Sequence, residues 1–450
     1  MKTVTRDLTK GNLWKEIIAF ALPLMFSNVL QVLFNLSDIA VVGRFGSDTA
    51  LGSVGSTSTL VSLFTGILIG LGAGVNVLVA RQFGARNDED IRQLVHTAAL
   101  ICLLGGFLVM GAAQALVRPL LLLLGTKEEL MPGALLYMRI YLCGMPALGI
   151  YNFGNGVLSA VGDSQRPLRY LTIAGVLNVA LNIFFVVVCG MDVEGVAIAS
   201  IAAQYLSAIL ITATLVRAKA SFGLDLRRLH MYLPKVKSIL RIGIPAGLQH
   251  SIFCIANLFV QSGINSFSAS EVAGNAAAVN CENICYQLMA GIYTACASCI
   301  GQNFGAGKKD RIKKSYWICN TYAVSVSVIF ALLYNFCGPT ILRIFTTDPK
   351  VIEAGMVRIV VMISTYWLAA FMDNTTAACR GLGKTLLPTI FVVTGSCVFR
   401  VIWIYTVFAG FHTLYVLYLV YPISWVLTGS AVMIYFAKLY KTQVQKYHMV

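Results

Sequence analysis

The sequence predicts an all-α integral membrane protein with twelve transmembrane helices in two six-helix lobes, related by a pseudo-two-fold axis along the membrane normal. Three observations support this fold class. Of the 450 residues, 58% are hydrophobic and only 12% are charged. The apolar residues form runs of about 20, the length that crosses a bilayer. The second half of the chain also repeats motifs of the first half.

This composition limits the class of protein. A soluble chain of this length could not bury so much apolar surface. The net charge of +15 could suggest a nucleic-acid partner, but the basic residues lie in short connections between apolar runs. We therefore expect no nucleic-acid partner. The basic residues are instead expected to contact a lipid bilayer with an anionic cytoplasmic face.

The apolar runs place the twelve spans in order along the chain. Their predicted bounds are 15–42, 50–80, 94–117, 132–160, 168–189, 193–216, 238–264, 271–301, 315–342, 352–378, 386–408 and 413–437. Only one connection, 217–237, is long and polar. It divides the chain into an N-lobe, 1–216, and a C-lobe, 238–450, joined by a cytoplasmic linker.

The distribution of Lys and Arg predicts the orientation. Of these 34 residues, 26 lie in the termini and the even-numbered connections, five in the odd-numbered connections and three inside spans. Basic residues favour the cytoplasmic side, so both termini are predicted to be cytoplasmic in a cell membrane.

The repeats have a nearly constant offset. "QFGAR" at 82–86 matches "NFGAG" at 303–307, and "GDSQRP" at 162–167 matches "GKTLLP" at 383–388, both 221 residues apart. Six spans per half is an even number, so the repeats are parallel and a substrate path can run between them. Secondary transporters often have this plan. A membrane enzyme or a channel is the less favoured alternative, because no catalytic or metal constellation and no symmetric filter is visible.

Span 1 carries a polar stripe that ends in an acid. Asn28, Gln31, Asn35 and Asp38 are spaced by three or four residues and share one helical face. Polar groups in lipid must face the bundle interior or a cavity. Spans 1 and 7 match at an offset of 222, as Pro23 with Pro245 and Asn35 with Asn257, so the position equivalent to Asp38 is Val260 and the acid belongs to the first lobe alone. Neighbouring amides could also satisfy it in a purely structural role.

Further polar residues mark other spans. Asn178 and Asn182 share one face of span 5, where they could bind a cation or simply link helices. Span 8 carries Asn275, Glu282 and Tyr286, and Glu282 is near its midplane. With Asn257 of span 7 and Asp373 of span 10, these are candidate substrate-cavity residues.

Some arginines and prolines lie deep inside spans, among them Arg139, Arg358 and Arg400 and four of the prolines. Arg139 and Arg358 occupy equivalent positions; both can extend to the membrane surface, and both are expected to be paired in a structural role. Arg400 is deeper and needs an acidic or carbonyl partner. Prolines inside helices are expected to kink them; these are Pro23, Pro146, Pro245 and Pro422.

The run "ALPLMFSNVLQVLFNLSDIAVVGRFG" and the paired motifs after spans 2 and 8 and after spans 4 and 10 resemble the multidrug and toxic-compound extrusion (MATE) family. The resemblance covers nearly the whole chain. It implies an antiporter, not an enzyme, that couples inward flow of H⁺ or Na⁺ to export of cationic or amphipathic small molecules.

The resemblance also implies site residues. Asp38 matches the family's coupling-ion acid of the first span, and Asn178 matches an Asn of the same network. Asn182 stands where many members have Asp, and Ser200 where they have a hydroxyl residue. With one carboxylate fewer, H⁺ and Na⁺ both stay open, and a Na⁺ ion would sit at Asp38 and Asn178.

The full prediction is therefore a monomeric, cation-coupled exporter without a cofactor other than its coupling ion. Its substrate cavity is predicted to contain Gln31, Asn35, Asn257, Asn275, Glu282, Tyr286 and Asp373. The alternative function is a lipid-linked saccharide flippase of the same broader superfamily, which needs a basic cavity for pyrophosphate.

Overall fold

A computed structural model describes residues 6–47 and 49–445, and every regular element in that part of the chain is helical. The first eight α-helices are α1 Leu13–Phe45, α2 Ala50–Gly84, α3 Asp88–Leu123, α4 Met131–Leu142, α5 Met145–Ala160, α6 Gln165–Ile183, α7 Val193–Arg217 and α8 Leu233–Ile264. The remaining seven are α9 Ala269–Gly305, α10 Lys309–Leu342, α11 Pro349–Ile363, α12 Tyr366–Gly381, α13 Leu386–Val392, α14 Phe399–Trp403 and α15 Leu414–Leu439.

Short segments of other helix types continue several of these helices. A 3₁₀ turn covers Leu226–Arg228. The π-helical segments are Phe184–Val188, Val393–Val398, Ile404–Phe408 and Tyr440–Gln445. The spans predicted at 168–189 and 386–408 are thus continuous but irregular, since each contains π-helical turns.

The membrane spans agree with the predicted fold class. Within the described residues, ten helical segments are long and apolar enough to cross a bilayer, and two bent helix pairs bring the number to twelve. Large apolar side chains are exposed, such as Leu123 at 81% and Phe336 at 82%. Such exposure is unfavourable in water but suits contact with lipid.

The two bent pairs differ from the unbroken spans predicted at 132–160 and 352–378. α4 and α5 meet at 48°, and α11 and α12 meet at 45°. Pro146 is the second residue of α5, where a missing N–H is tolerated at a helix start. No proline lies at the second break. There the Thr365 hydroxyl donates to the carbonyl oxygens of Val361 and Met362, which diverts them from the helical pattern. The helices containing Pro23, Pro245 and Pro422 continue through these residues.

The repeated sequence motifs are helix endings. At the end of α2, Asn87 N–H donates to the Gln82 carbonyl and Arg86 N–H to the Phe83 carbonyl. α9 ends with the same two bonds, from Lys308 and Gly307. The equivalent bonds also end α5 and α12, around Gly162 and Gly383. This is the Schellman arrangement, which requires a left-handed residue after the helix.

Packing divides the chain into two compact units. The first unit, unit 1, contains residues 26–251 with the segment ending at Asp7, and the second, unit 2, contains Leu8–Met25 and the chain from Ile252. This division differs from the sequence division at 217–237, because the first half of α8 packs in unit 1 and the first half of α1 packs in unit 2.

Glycines explain how these helix halves pack. In unit 1, a Cβ on Gly70 of α2 would overlap the backbone nitrogen of Gly247 of α8. In unit 2, a Cβ on Gly291 of α9 would lie 2.6 Å from the nitrogen of Met25 of α1. Gly70 and Gly291 are 221 residues apart, so both halves of the chain use the same close helix crossing.

Candidate functional site

The structure brings together the four side chains proposed for ion coupling, all in unit 1. Asp38 of α1 is 8% exposed. Its Oδ1 accepts a hydrogen bond from Asn182 Nδ2, and its Oδ2 accepts one from Ser200 Oγ at 3.0 Å. α6 supplies Asn182, and α7 supplies Ser200. A buried carboxylate thus receives both of these bonds from neutral groups.

Asn178 completes this cluster. Asn182 Nδ2 also donates to Asn178 Oδ1 at 3.3 Å, and Asn178 Nδ2 donates to Ser200 Oγ at 3.5 Å. The carbonyl oxygen of Asn182, Oδ1, is buried without a hydrogen-bond partner. Among the ion pairs of the described residues, none involves Asp38. The cluster therefore has an uncompensated acid and an unsatisfied amide oxygen.

Local sequence explains the placement of α6 beside α1. Gly175, Asn178 and Asn182 are spaced by three and four residues, so they share one face of α6. Any Cβ at Gly175 would collide with the ring of Phe34, which lies one turn before Asp38. The missing side chain of Gly175 lets α1 approach α6 closely enough for Asp38 to accept the hydrogen bond from Asn182.

The rest of the polar stripe on α1 differs from Asp38 in exposure. Gln31 and Asn35 are exposed, whereas Asp38 is buried. These two residues can therefore be reached from the surface of unit 1, as a substrate-facing position requires. Their proposed contact with substrate stays a prediction.

Unit 2 contains a different polar cluster. Arg358 Nε donates to Glu282 Oε1 at 2.7 Å, and Arg358 Nη2 donates to Glu282 Oε2 at 2.8 Å. Arg358 Nη1 donates to Asn275 Oδ1 at 2.7 Å, which also accepts from the Tyr418 hydroxyl at 3.2 Å. The Tyr366 hydroxyl donates to Glu282 Oε2 at 3.4 Å. Glu282, Asn275 and Arg358 are all at most 5% exposed.

This geometry changes the interpretation of Glu282 and Asn275. Both were predicted in the substrate cavity, but the carboxylate of Glu282 is neutralised by Arg358 and both side chains are buried. We therefore assign them to an internal ion-pair cluster. The sequence predicted structural pairing for Arg358 but not its partner Glu282, and it assigned no role to Tyr366 or Tyr418. A signal was available, because a buried acid in a membrane helix needs a counter-ion and Arg358 is one of the arginines inside spans.

The other candidates of unit 2 lie outside that ion pair. Asn257 is exposed, and its Oδ1 accepts a hydrogen bond from Arg400 Nη1 at 3.3 Å. Arg400 thus has the carbonyl partner that its depth required. Tyr286 is 42% exposed and Asp373 is half-buried.

The equivalent arginines of the two halves differ. Arg358 is buried in its ion pair, whereas Arg139 is exposed. In place of a side-chain ion pair, the backbone carbonyl of Arg139 accepts from Gln114 Nε2 at 2.8 Å. The repeat therefore preserves helix positions but not polar chemistry.

The described part of the chain contains no group of three or more His, Cys, Asp or Glu side chains placed to hold a metal ion. A cation at Asp38 would have to use the carboxylate together with amide and hydroxyl oxygens. Such neutral oxygen ligands suit hard cations, and the carboxylate alone suits a proton.

One protein-family profile matches the chain twice, once in each half. The profile of the MatE family matches residues 23–184 and again 245–406. The chain is 30% identical over 356 residues to the probable multidrug resistance protein YpnP of Bacillus subtilis, covering 78% of each protein. It is 27% identical over 387 residues to the probable multidrug resistance protein NorM of Thermotoga maritima, covering 84% of this chain and 82% of that protein.

A third relative has a different described cargo. The chain is 24% identical over 359 residues to the FAD transporter of Shewanella oneidensis, covering 77% of each protein. Among solved structures, the outward-facing conformation of a multidrug resistance MATE family transporter matches with a TM-score of 0.90 at 22% identity, covering 99% of both chains. At that identity the likeness concerns the fold.

Proposed function

Because this chain belongs to the MatE family of membrane transporters, we propose that it is an antiporter that exports small amphipathic molecules, cationic ones among them, in exchange for H⁺ or Na⁺ entering at Asp38. The observation that carries the proposal is the buried Asp38 carboxylate, hydrogen-bonded to the neutral groups of Asn182 and Ser200. The relatives named multidrug resistance proteins support small-molecule export.

The electrostatics give Asp38 a reason to bind a cation. A carboxylate away from water is unfavourable unless a positive charge or proton neutralises it. Asp38 has hydrogen-bond donors but no basic partner, so an entering cation would remove that cost. The ion is then bound by residues of α1, α6 and α7 together, and it stabilises the arrangement in which those helices meet.

Ion binding can drive export only if it favours one conformer. We propose that the neutralised site favours the conformer that releases substrate, and that substrate favours the conformer that releases the ion. Each ligand shifts the equilibrium only through its different affinities for the two conformers.

Both coupling ions remain compatible with the site. A protonated Asp38 could donate to Asn182 Oδ1, the amide oxygen that lacks a partner, if the amide turned so that this oxygen replaced the Nδ2 that now faces Asp38. A Na⁺ ion could instead be bound by Asp38, Asn178 and Asn182 if the Asn182 amide turned its oxygen towards it. The proposed orientation, with both termini in the cytoplasm, is supported by the concentration of Lys and Arg in the termini and the even-numbered connections.

The flippase alternative is less well supported. It depends on a basic cavity, and Glu282 neutralises Arg358 while Arg139 is exposed. Of the three arginines that kept this alternative open, only Arg400 is both buried and without an ion pair among the described residues.

The test uses purified protein in sealed liposomes that contain a cationic dye, with a Na⁺ gradient or a pH gradient imposed separately. We expect one gradient to drive dye movement in the native protein, and Asp38→Asn to reduce it to the level of protein-free liposomes. Glu353→Gln is the control, since Glu353 is exposed on α11. Native rates in Asp38→Asn would refute the role of Asp38.

A further inference from the structure

Arg400 is a buried charge that the coupling mechanism does not use. It lies in the five-residue helix α14 and is 2% exposed. π-helical segments adjoin α14 on both sides, at Val393–Val398 and Ile404–Phe408. Such interruptions of an α-helix are often found at functional sites.

The partners of Arg400 are all neutral. Its Nη1 donates to Asn257 Oδ1 at 3.3 Å, and its guanidinium lies over the rings of Tyr421 at 4.4 Å and Phe253 at 5.4 Å. Its Nε is buried without a hydrogen-bond partner. Among the described residues, no carboxylate forms an ion pair with Arg400 within 4.0 Å.

Arg358 of the same unit provides a comparison, because its positive charge is balanced by a carboxylate. All three of its nitrogens donate to Glu282 or Asn275. Arg400 has one such bond, and its surroundings do not supply a counter-ion of its own. Asp373 interacts electrostatically with both Arg380 and Arg400, so one carboxylate is shared by two arginines. Arg380 Nε is also buried without a partner.

Arg400 is thus a buried guanidinium that forms no ion pair with the described carboxylates and has an unpartnered Nε. A buried, unpaired charge is unfavourable, and a planar guanidinium with free N–H groups is suited to bind a carboxylate or phosphate through two parallel hydrogen bonds. The rings of Tyr421 and Phe253, which lie against the guanidinium, add aromatic surface next to it that an aromatic ligand can pack against.

A ligand can approach from the exposed side of this cluster. Asn257, whose Oδ1 accepts a hydrogen bond from the guanidinium, is exposed. Rotation of the Asn257 amide would free Arg400 Nη1 for a ligand.

We propose that unit 2 contains an anion-accepting subsite centred on Arg400, which binds the carboxylate or phosphate of an aromatic or amphipathic substrate. The proposal rests on the export function proposed above and specifies its substrate class. Substrates then combine an apolar or cationic body with an oxyanion group, and purely cationic compounds lack one anchoring contact.

The test compares two dyes that differ only in this group. Rhodamine B has a free carboxylate, and its ethyl ester does not, while both carry the same cationic ring system. Binding to the purified full-length chain is measured by fluorescence anisotropy in an uncharged detergent, so that no lipid phosphate competes. We expect the native chain to bind the acid more tightly than the ester.

The variants are Arg400→Gln, Arg400→Lys and, as control, Arg139→Gln on the exposed arginine. Arg400→Gln should weaken binding of the acid at least about tenfold, the effect of losing a charge-assisted pair, and change ester binding less than about twofold. Arg400→Lys should keep part of the preference, and Arg139→Gln all of it. Equal weakening of both dyes, or unchanged acid binding, would overturn the proposal.

Stability and transport separate the remaining explanations. Arg400→Gln should unfold at no lower temperature than the native chain, because it removes an uncompensated buried charge. If it fails to fold, the acid-to-ester ratio in Arg400→Lys decides the question. Gradient-driven movement of the ester that is lost in Asp38→Asn would support the export function even without a carboxylate preference. Arg400-dependent acid binding without any gradient-driven movement would support the subsite and refute the export function.

Discussion

Arg358 and Glu282 form a two-bond ion pair inside unit 2, with Nε to Oε1 at 2.7 Å and Nη2 to Oε2 at 2.8 Å. The pair joins α11 to α9. Breaking such a pair by removing one partner leaves an uncompensated buried charge, whereas replacing both partners by apolar residues can be nearly neutral.

The first prediction follows from that asymmetry. Arg358→Met alone and Glu282→Leu alone should each lower the free energy of unfolding by about 3–5 kcal/mol. The double variant should recover most of the loss. Denaturant or thermal unfolding in detergent measures the effect, with Glu353→Gln as the exposed control. Additive losses in the double variant would contradict the buried-pair interpretation.

The second prediction concerns the charge of the coupling cluster. Asn182→Asp places a second carboxylate beside Asp38 and should strengthen cation binding, because a second negative charge attracts Na⁺ more strongly. We expect a larger Na⁺-dependent rise in unfolding temperature than in the native chain, and no rise in Asn182→Leu. A native-like Na⁺ response in Asn182→Asp would mean that Asn182 is not next to the ion.

The third prediction concerns the close crossing of α2 and α8. Gly70→Ala puts a Cβ onto the backbone of Gly247, which cannot move aside as a flexible side chain could. The variant should unfold at a lower temperature. Gly111→Ala in α3 is the matched control, since nothing lies within 4 Å of its Cβ position, and it should gain roughly 0.5–1 kcal/mol of stability from helix propensity. Equal stability of the two variants would show that the crossing adapts.

The fourth prediction uses the repeated helix endings. Arg86 has φ of 54°, while the equivalent residue, Gly307, has φ of 69°. A left-handed backbone is unfavourable for residues with a Cβ by roughly 1–2 kcal/mol. Arg86→Gly should therefore stabilise the chain by about 1 kcal/mol, and Gly307→Ala should destabilise it by a similar amount. Unfolding midpoints measure both, and a loss of stability in Arg86→Gly would reveal a contribution from the arginine side chain.

The predictable parts of the structure are those with local or periodic signals. Hydropathy predicted the spans, and the repeated "FGA" motifs predicted equivalent positions that prove to be helix endings. The break between Ile363 and Tyr366 could not be predicted from a proline, because none lies there. The Thr365 hydroxyl instead donates to backbone carbonyl oxygens of the preceding turn. The first half of α1 packs in unit 2 and the first half of α8 packs in unit 1. The close contacts that allow this packing involve Gly291 and Gly70, which are distant in sequence from these helices.

The candidate sites divide in the same way. Helical spacing singled out Asp38, Asn178 and Asn182, the resemblance to a known family added Ser200 and the coupling role, and the structure places these four side chains together. Pairing between Glu282 and Arg358 was missed because the two residues are 76 positions apart, and no periodicity connects different helices. A charged residue inside a membrane span indicates that a partner is needed, but only the tertiary structure identifies that partner.

The two halves of the chain end equivalent helices with the same hydrogen bonds, at α2 and α9 and at α5 and α12. Their buried polar residues are different. A chain made of two copies of the first half would retain every one of those endings. It would carry two acids like Asp38, an exposed arginine like Arg139 in place of the buried Arg358, and no counterpart of Arg400. The two halves thus share helix positions but not polar residues, so neither half supplies the polar groups of the other.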